Sequence, residues 1–134
     1  MRLFQKISYI YKNIYIFSFI FFNTLYFGTY FRFFGFSKIT KKISYTKLSK
    51  NKINTNILKV VILTRSFLKY IFFTKNCFIR SFVAVIILKK LGYKTVFKIG
   101  VSNELSFNSH SWIEVDGLPV LEENIGIYKV MKEY

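Results

Sequence analysis

The chain has 134 residues, a formal charge of +15, one histidine and one cysteine. Its 52% hydrophobic and 21% aromatic content excludes a disordered polar tail, and its length sets a single domain as the expectation. A lone cysteine, Cys77, excludes an internal disulfide framework and fits a reducing compartment.

The first segment, residues 1–36, is hydrophobic and predicts an N-terminal helix. Arg2, Lys6 and Lys12 precede "IYIFSFIFFNTLYFGTYF", an uncharged run from Ile14 to Phe31. That length is at the lower edge for a membrane span, and Asn23, Thr24 and Gly28 weaken it. No small-residue cleavage site follows it, which argues against a removed signal peptide. A helix docked on its own domain or on a membrane surface is favoured over a true span. If it spans, Lys38, Lys41, Lys42, Lys47, Lys50 and Lys52 hold the C-terminal part in the cytoplasm. The expected location is the cytoplasm, associated with the inner face of the membrane through residues 14–31.

Residues 37–56, "SKITKKISYTKLSKNKINTN", read as a basic linker. The core domain is expected over residues 57–134. "NTN" at 54–56 offers helix caps, and Ile57, Val60, Val61, Thr64, Phe67, Leu68 and Ile71 recur at helical spacing. "TKN" at 74–76 interrupts and caps again. A second helix begins near Cys77 and ends at Gly92, after Lys89 and Lys90. Its interior, "FVAVIILKKL", is apolar on nearly every face, as in the buried centre of a domain. "KTVFKIGV", residues 94–101, alternates as a strand with one wetter face. "HSWIEV" and "LPVL" around "DG" predict a hairpin. Helices followed by strands in this order predict an α+β fold, with helices packed on an antiparallel sheet.

The chemistry concentrates in two places. Cys77 opens the central helix, where free backbone N–H groups and the helix dipole favour a thiolate. His110 opens a strand expected to pack on that helix. A nucleophile on a helix with its base on an adjacent sheet is the arrangement that thiol proteases and acyltransferases need. Taken singly, a cysteine is more often a small buried hydrophobe and a histidine more often structural. An imidazole base also needs an acceptor on its second nitrogen. A two-residue turn at "DG" sets His110 opposite Glu123, and a three-residue loop sets it opposite Glu122; both turns suit the residues. Opposed side chains lie about 5 Å apart. Glu114 and Asp116 read as a solvated surface charge and a turn residue. Trp112 shares the strand face of His110 and reads as packing beside the site, with substrate contact as the other role. Arg80, one turn after Cys77, reads as a brace of the helix or a ligand for a substrate carboxylate. No metal-ligand cluster and no cofactor motif is evident, and none is expected.

These residues resemble a known family. "CFIRSFVAVIILKKLGYKTVFKIGV" followed by "HSWIEVDGLPVLEE" is similar to the leader peptidase of lasso-peptide maturation, within the transglutaminase-like (papain-like) superfamily. The marks are Cys77 with Arg80 and Ser81, Gly92, Ile99-Gly100-Val101, His110 with Trp112, and Asp116-Gly117. The resemblance implies a cysteine nucleophile at Cys77, a base at His110 and an acid at Glu122, where aspartate is usual. It favours the three-residue loop, and so Glu122 over Glu123. Ser111 stands where such proteins commonly carry alanine. The implied activity is removal of a leader peptide from a ribosomally made precursor, with no cofactor. The implied partners are the precursor peptide, a separate leader-recognition protein and an ATP-dependent lasso cyclase. Two other readings stand beside it: an amide acyltransferase on a peptide, and a non-catalytic basic module for membranes or nucleic acid. Nucleic acid is not expected, since no RNP segment or zinc site is present and the lysines gather in the linker.

Overall fold

Asparagine caps set where the two central helices begin. Asn56 Oδ1 accepts the Lys59 amide at 3.2 Å, opening α3 (Ile57–Phe72). Asn76 Oδ1 accepts the Phe78 amide at 2.8 Å, opening α4 (Cys77–Lys90). Each supplies an acceptor to a first-turn donor that the helix cannot satisfy itself. Two further helices precede them, α1 (Leu3–Phe33) and α2 (Phe36–Tyr45). The computed structural model describes residues 3–34, 36–73, 76–102, 108–121 and 125–134.

Helix α4 is the centre of the molecule. Every residue from Ser81 to Leu88 is buried, because α1 and α3 cover one side and strands β1 (Thr95–Ser102) and β2 (Asn108–Val115) the other. Ring contacts tie the layers together. Phe31 of α1 meets Phe82 at 5.3 Å, and Phe78 meets Phe97 of β1 at 5.2 Å. Full burial of each large aliphatic or aromatic side chain in this layer contributes about 1.5–3 kcal/mol. The fold is the expected α+β arrangement, with an apolar N-terminal helix ahead of it.

Helix α1 docks rather than standing apart. Ile16, Ile20, Thr24 and Phe27 recur on one face and are all buried, and Phe67 of α3 sits edge-on between Phe17 and Phe21 at 5.3 Å from each. Its opposite face leaves Ile14, Tyr15, Phe22 and Tyr26 exposed, and Ile7, Tyr9, Ile10 and Tyr11 are exposed near its start.

The stretch read as a linker contains α2. Ile39 and Ile43 lie four apart and are buried, while Lys38, Lys41 and Ser44 face solvent. The lysines mask this stripe when charge alone is counted. Beyond α2 the chain is held to the end of α4. Ser49 N–H donates to Lys89 O at 3.0 Å, and Ile53 N–H donates to Leu91 O at 2.9 Å. Gly92 permits this approach. Its φ is +88°, and a Cβ there would lie 2.7 Å from Lys52 Cα.

The sheet is antiparallel in the order β3-β2-β1-β4, with β3 at Leu118–Pro119 and β4 at Lys129–Glu133. Strand β4 was not expected. All five of its residues are exposed, so it has no buried–exposed alternation to read. It is recruited through the backbone, ending in paired hydrogen bonds of 2.8 and 2.9 Å between Tyr134 and Phe97. The hairpin turn corrects the three-residue loop that the family resemblance favoured. Val115 pairs with Leu118, and Asp116 and Gly117 have φ of 52° and 81°. Two positive values make a two-residue turn of the type that matches strand twist. Val120 N–H still donates to Ile113 O at 3.0 Å, but Leu121 at φ 55° turns away, so "LPVL" forms only a two-residue strand.

Candidate active site

Cys77 is the first residue of α4 and is half-buried. It lines an open cavity of about 470 Å³ together with Asn76, Phe78, Ile99, Ser109, His110 and Ser111. The sequence-predicted nucleophile and base therefore line one cavity. They reach it from different sides of β2. Ile99, Ser111 and Ile113 lie on the face toward α4, and Ser81 Oγ donates to Ser111 O at 3.2 Å. Strand alternation puts His110, Trp112 and Glu114 on the opposite face. The described pairing of β2 with β3 stops at Glu114 and Pro119, and the shared cavity lies at the His110 end of β2, beyond that pairing.

On that face an aromatic stack braces the imidazole. The His110 ring lies 6.3 Å from Trp112 and 5.4 Å from Tyr128. Trp112 is 2% exposed, and its Nε1–H donates to Glu114 Oε1 at 3.2 Å. Glu114 Oε2 in turn pairs with Lys98 Nζ at 2.9 Å, and Glu133 lies 3.9 Å from the same ammonium. The hydrogen bond to Glu114 holds the Lys98 ammonium above its ordinary value. Glu114 is thus not the solvated surface charge expected from the sequence. It anchors the indole on which His110 rests. Asp116 is exposed in the turn, as expected.

Gly100 makes the stack possible. It pairs with His110 across β1 and β2. A Cβ on Gly100 would sit 2.9 Å from Trp112 Cζ3 and 3.0 Å from Tyr128 Cβ.

The acid expected on His110, Glu122, and its neighbour Glu123 lie outside the described residues. The chain on either side of them is fixed near β2, by Val120 bonded to Ile113 and by Tyr128 against His110 and Trp112. Arg80 lies one turn beyond Cys77 with its Nε buried and without a hydrogen-bond partner among the described residues. Among the described residues no three His, Cys, Asp or Glu side chains gather as a metal site would require.

The profile of the Transglutaminase-like superfamily matches residues 25–132. The chain belongs to that superfamily. That superfamily includes cysteine proteases and acyltransferases. The match begins inside α1, and so takes in the second half of the apolar helix and all of α2. No curated protein and no solved structure matches the chain. Two residues of this transglutaminase-like site were not singled out from sequence. Tyr128 is one of ten tyrosines and follows a short 3-10 helix with no periodic pattern. Ser111 reads from the sequence only as a small residue where alanine is common.

Proposed function

We propose that this transglutaminase-like domain is a cysteine peptidase that removes the leader from a ribosomally made precursor in lasso-peptide maturation. The observation that carries the peptidase reading is the single cavity lined by Cys77, at the N-terminus of the central helix, and His110. The lasso-peptide assignment rests on the sequence resemblance around Cys77 and "HSWIEVDG".

In this reading His110 takes the thiol proton and the Cys77 thiolate attacks the scissile carbonyl. The C–N bond breaks, the leader fragment stays as a thioester, and the imidazolium returns its proton to the departing amine of the core peptide. Water then releases the leader as a free acid. Glu122, the position that the resemblance implies, orients the imidazole; Glu123, which the register of the two-residue turn would set opposite His110, is the alternative. Arg80 is a candidate ligand for a substrate carboxylate, and Trp112 positions His110 through the stack. The partners are the precursor, a separate leader-recognition protein and an ATP-dependent cyclase. The site of action is the cytoplasmic face of a membrane, with the exposed apolar side of α1 on the lipid. A true span would have to strip Ile16, Ile20, Thr24 and Phe27 from the domain.

Co-expression with a precursor and recognition protein encoded nearby, read by mass, tests this directly. Leader removal is expected for the wild type and is lost in Cys77→Ala and His110→Ala. Undiminished removal by Cys77→Ala ends the proposal. The superfamily also includes acyltransferases, and product mass separates the two outcomes: a leader acid from hydrolysis, or a leader amide from transfer to an amine.

A further inference from the structure

A buried hydroxyl lining this cavity has no hydrogen-bond partner among the described residues. Ser111 is 2% exposed, and its Oγ has no hydrogen-bond partner among the described residues. Folded proteins rarely leave such a group unpaired, because it gives up water and gains nothing in return. Ser111 nevertheless lines the cavity of Cys77 and His110. Its cross-strand partner Ile99 lines it too. Unlike His110, it stands on the sheet face turned toward α4. Its carbonyl is gripped by Ser81 Oγ, and Ser81 lies four residues after Cys77 on the same face of α4. The serine is therefore held about one helical turn below the thiol.

We propose that Ser111 Oγ–H is an oxyanion donor for acyl transfer at Cys77. This rests on the thiol acyl-transfer reading given above. When an acyl group occupies the cavity, a step of χ1 between staggered positions turns the hydroxyl toward it. The thiolate adds to the carbonyl carbon, a C–S bond forms, and the π pair moves to oxygen. Ser111 donates to that oxygen, where the charge gathers, and the bond is stronger there than to the neutral carbonyl. Collapse of the intermediate restores C=O and expels the leaving group.

The test compares two reactions of the same thiol. p-Nitrophenyl acetate acetylates Cys77 through an oxyanion and releases p-nitrophenolate. Iodoacetamide alkylates it by displacement at carbon, with no oxyanion. In Ser111→Ala, acetylation falls on the order of a hundredfold, alkylation keeps the wild-type rate, and Ser111→Thr recovers most of the acetylation. Thermal stability of Ser111→Ala stays equal or rises, since the variant removes a buried unpaired group. Equal loss in both reactions, or loss in neither, overturns the assignment. Cys77→Ala reports separately on the underlying reading. If its phenolate burst and acetyl adduct persist, the thiol reading fails. If they vanish while Ser111→Ala stays fast, only the role of Ser111 fails.

Discussion

Gly100→Ala adds one methyl group where the site has no room for it. Gly100 pairs with His110, and the new Cβ would meet Trp112 Cζ3 at 2.9 Å, Cη2 at 3.0 Å and Tyr128 Cβ at 3.0 Å. Neither neighbour yields easily. The indole is tied through Nε1 to Glu114, and Tyr128 Cβ is one bond from the backbone that leads into β4. Overpacking of this kind costs about 1–3 kcal/mol. Alanine recovers roughly 0.5–1 kcal/mol by restricting the unfolded chain and filling a strand interior. The mid-range values leave a net loss of about 1 kcal/mol, or about 3–5 °C in Tm for a domain of this size. Differential scanning calorimetry measures it. The same displacement shifts the stack under His110, so acetylation of Cys77 by p-nitrophenyl acetate also slows. A Tm equal to or above wild type would refute the packing argument. A lower Tm with unchanged acetylation would refute the claim that the stack positions the base.

Other outcomes follow from the same geometry. The Lys98 ammonium is held above its ordinary value of 10.5, chiefly by its hydrogen bond to Glu114. A raised lysine value contributes stability that is complete below the unfolded value and lost as pH rises through the folded one. The advantage of wild type over Lys98→Met in urea unfolding is therefore steady near neutrality and shrinks above about pH 10.5; an advantage that grows there contradicts the assignment. On the family resemblance, Glu122→Gln is expected to slow Cys77-dependent leader removal more than Glu123→Gln, measured as kcat/KM; the reverse order, which the register of the two-residue turn would give, transfers the orienting role to Glu123. Flotation with phosphatidylglycerol vesicles should carry the wild type and lose the variant Ile10→Asp/Ile14→Asp, whose side chains are exposed and outside the core; a wild type that stays at the bottom of the gradient removes the membrane face.

Some of this was legible in the residues and some was not, for identifiable reasons. Asn56 and Asn76 announce the starts of α3 and α4, since a cap is a local interaction within three residues. The apolar interior of α4 announces its burial. Helix α2 hides because its stripe is only Ile39 and Ile43 among lysines, and its burial depends on a surface built by distant segments. Strand β4 hides because pairing, not side-chain burial, places it. The turn was underdetermined in principle: Asp116-Gly117 fits two loop lengths, and the observed one appears only once Val115 pairs with Leu118. Cys77 and His110 could be named from the sequence as candidates for thiol chemistry, and the fold brings both to one cavity. The bracing of His110 by Tyr128, Trp112 and Glu114 could not, because it joins β1, β2 and the bend before β4, which meet only in the folded sheet.

Strand β4 gives this domain a timetable. The stretch from Tyr128 to Tyr134 supplies both the ring against His110 and the backbone partner of β1. A growing chain that has passed Val120 can already bury α4 and close the hairpin of β2 and β3, yet it carries β1 with an open edge and a histidine without Tyr128 against it. The surroundings of His110 are therefore completed only after the helices and hairpin have formed. During that interval the bare edge of β1 is open to pairing with another chain.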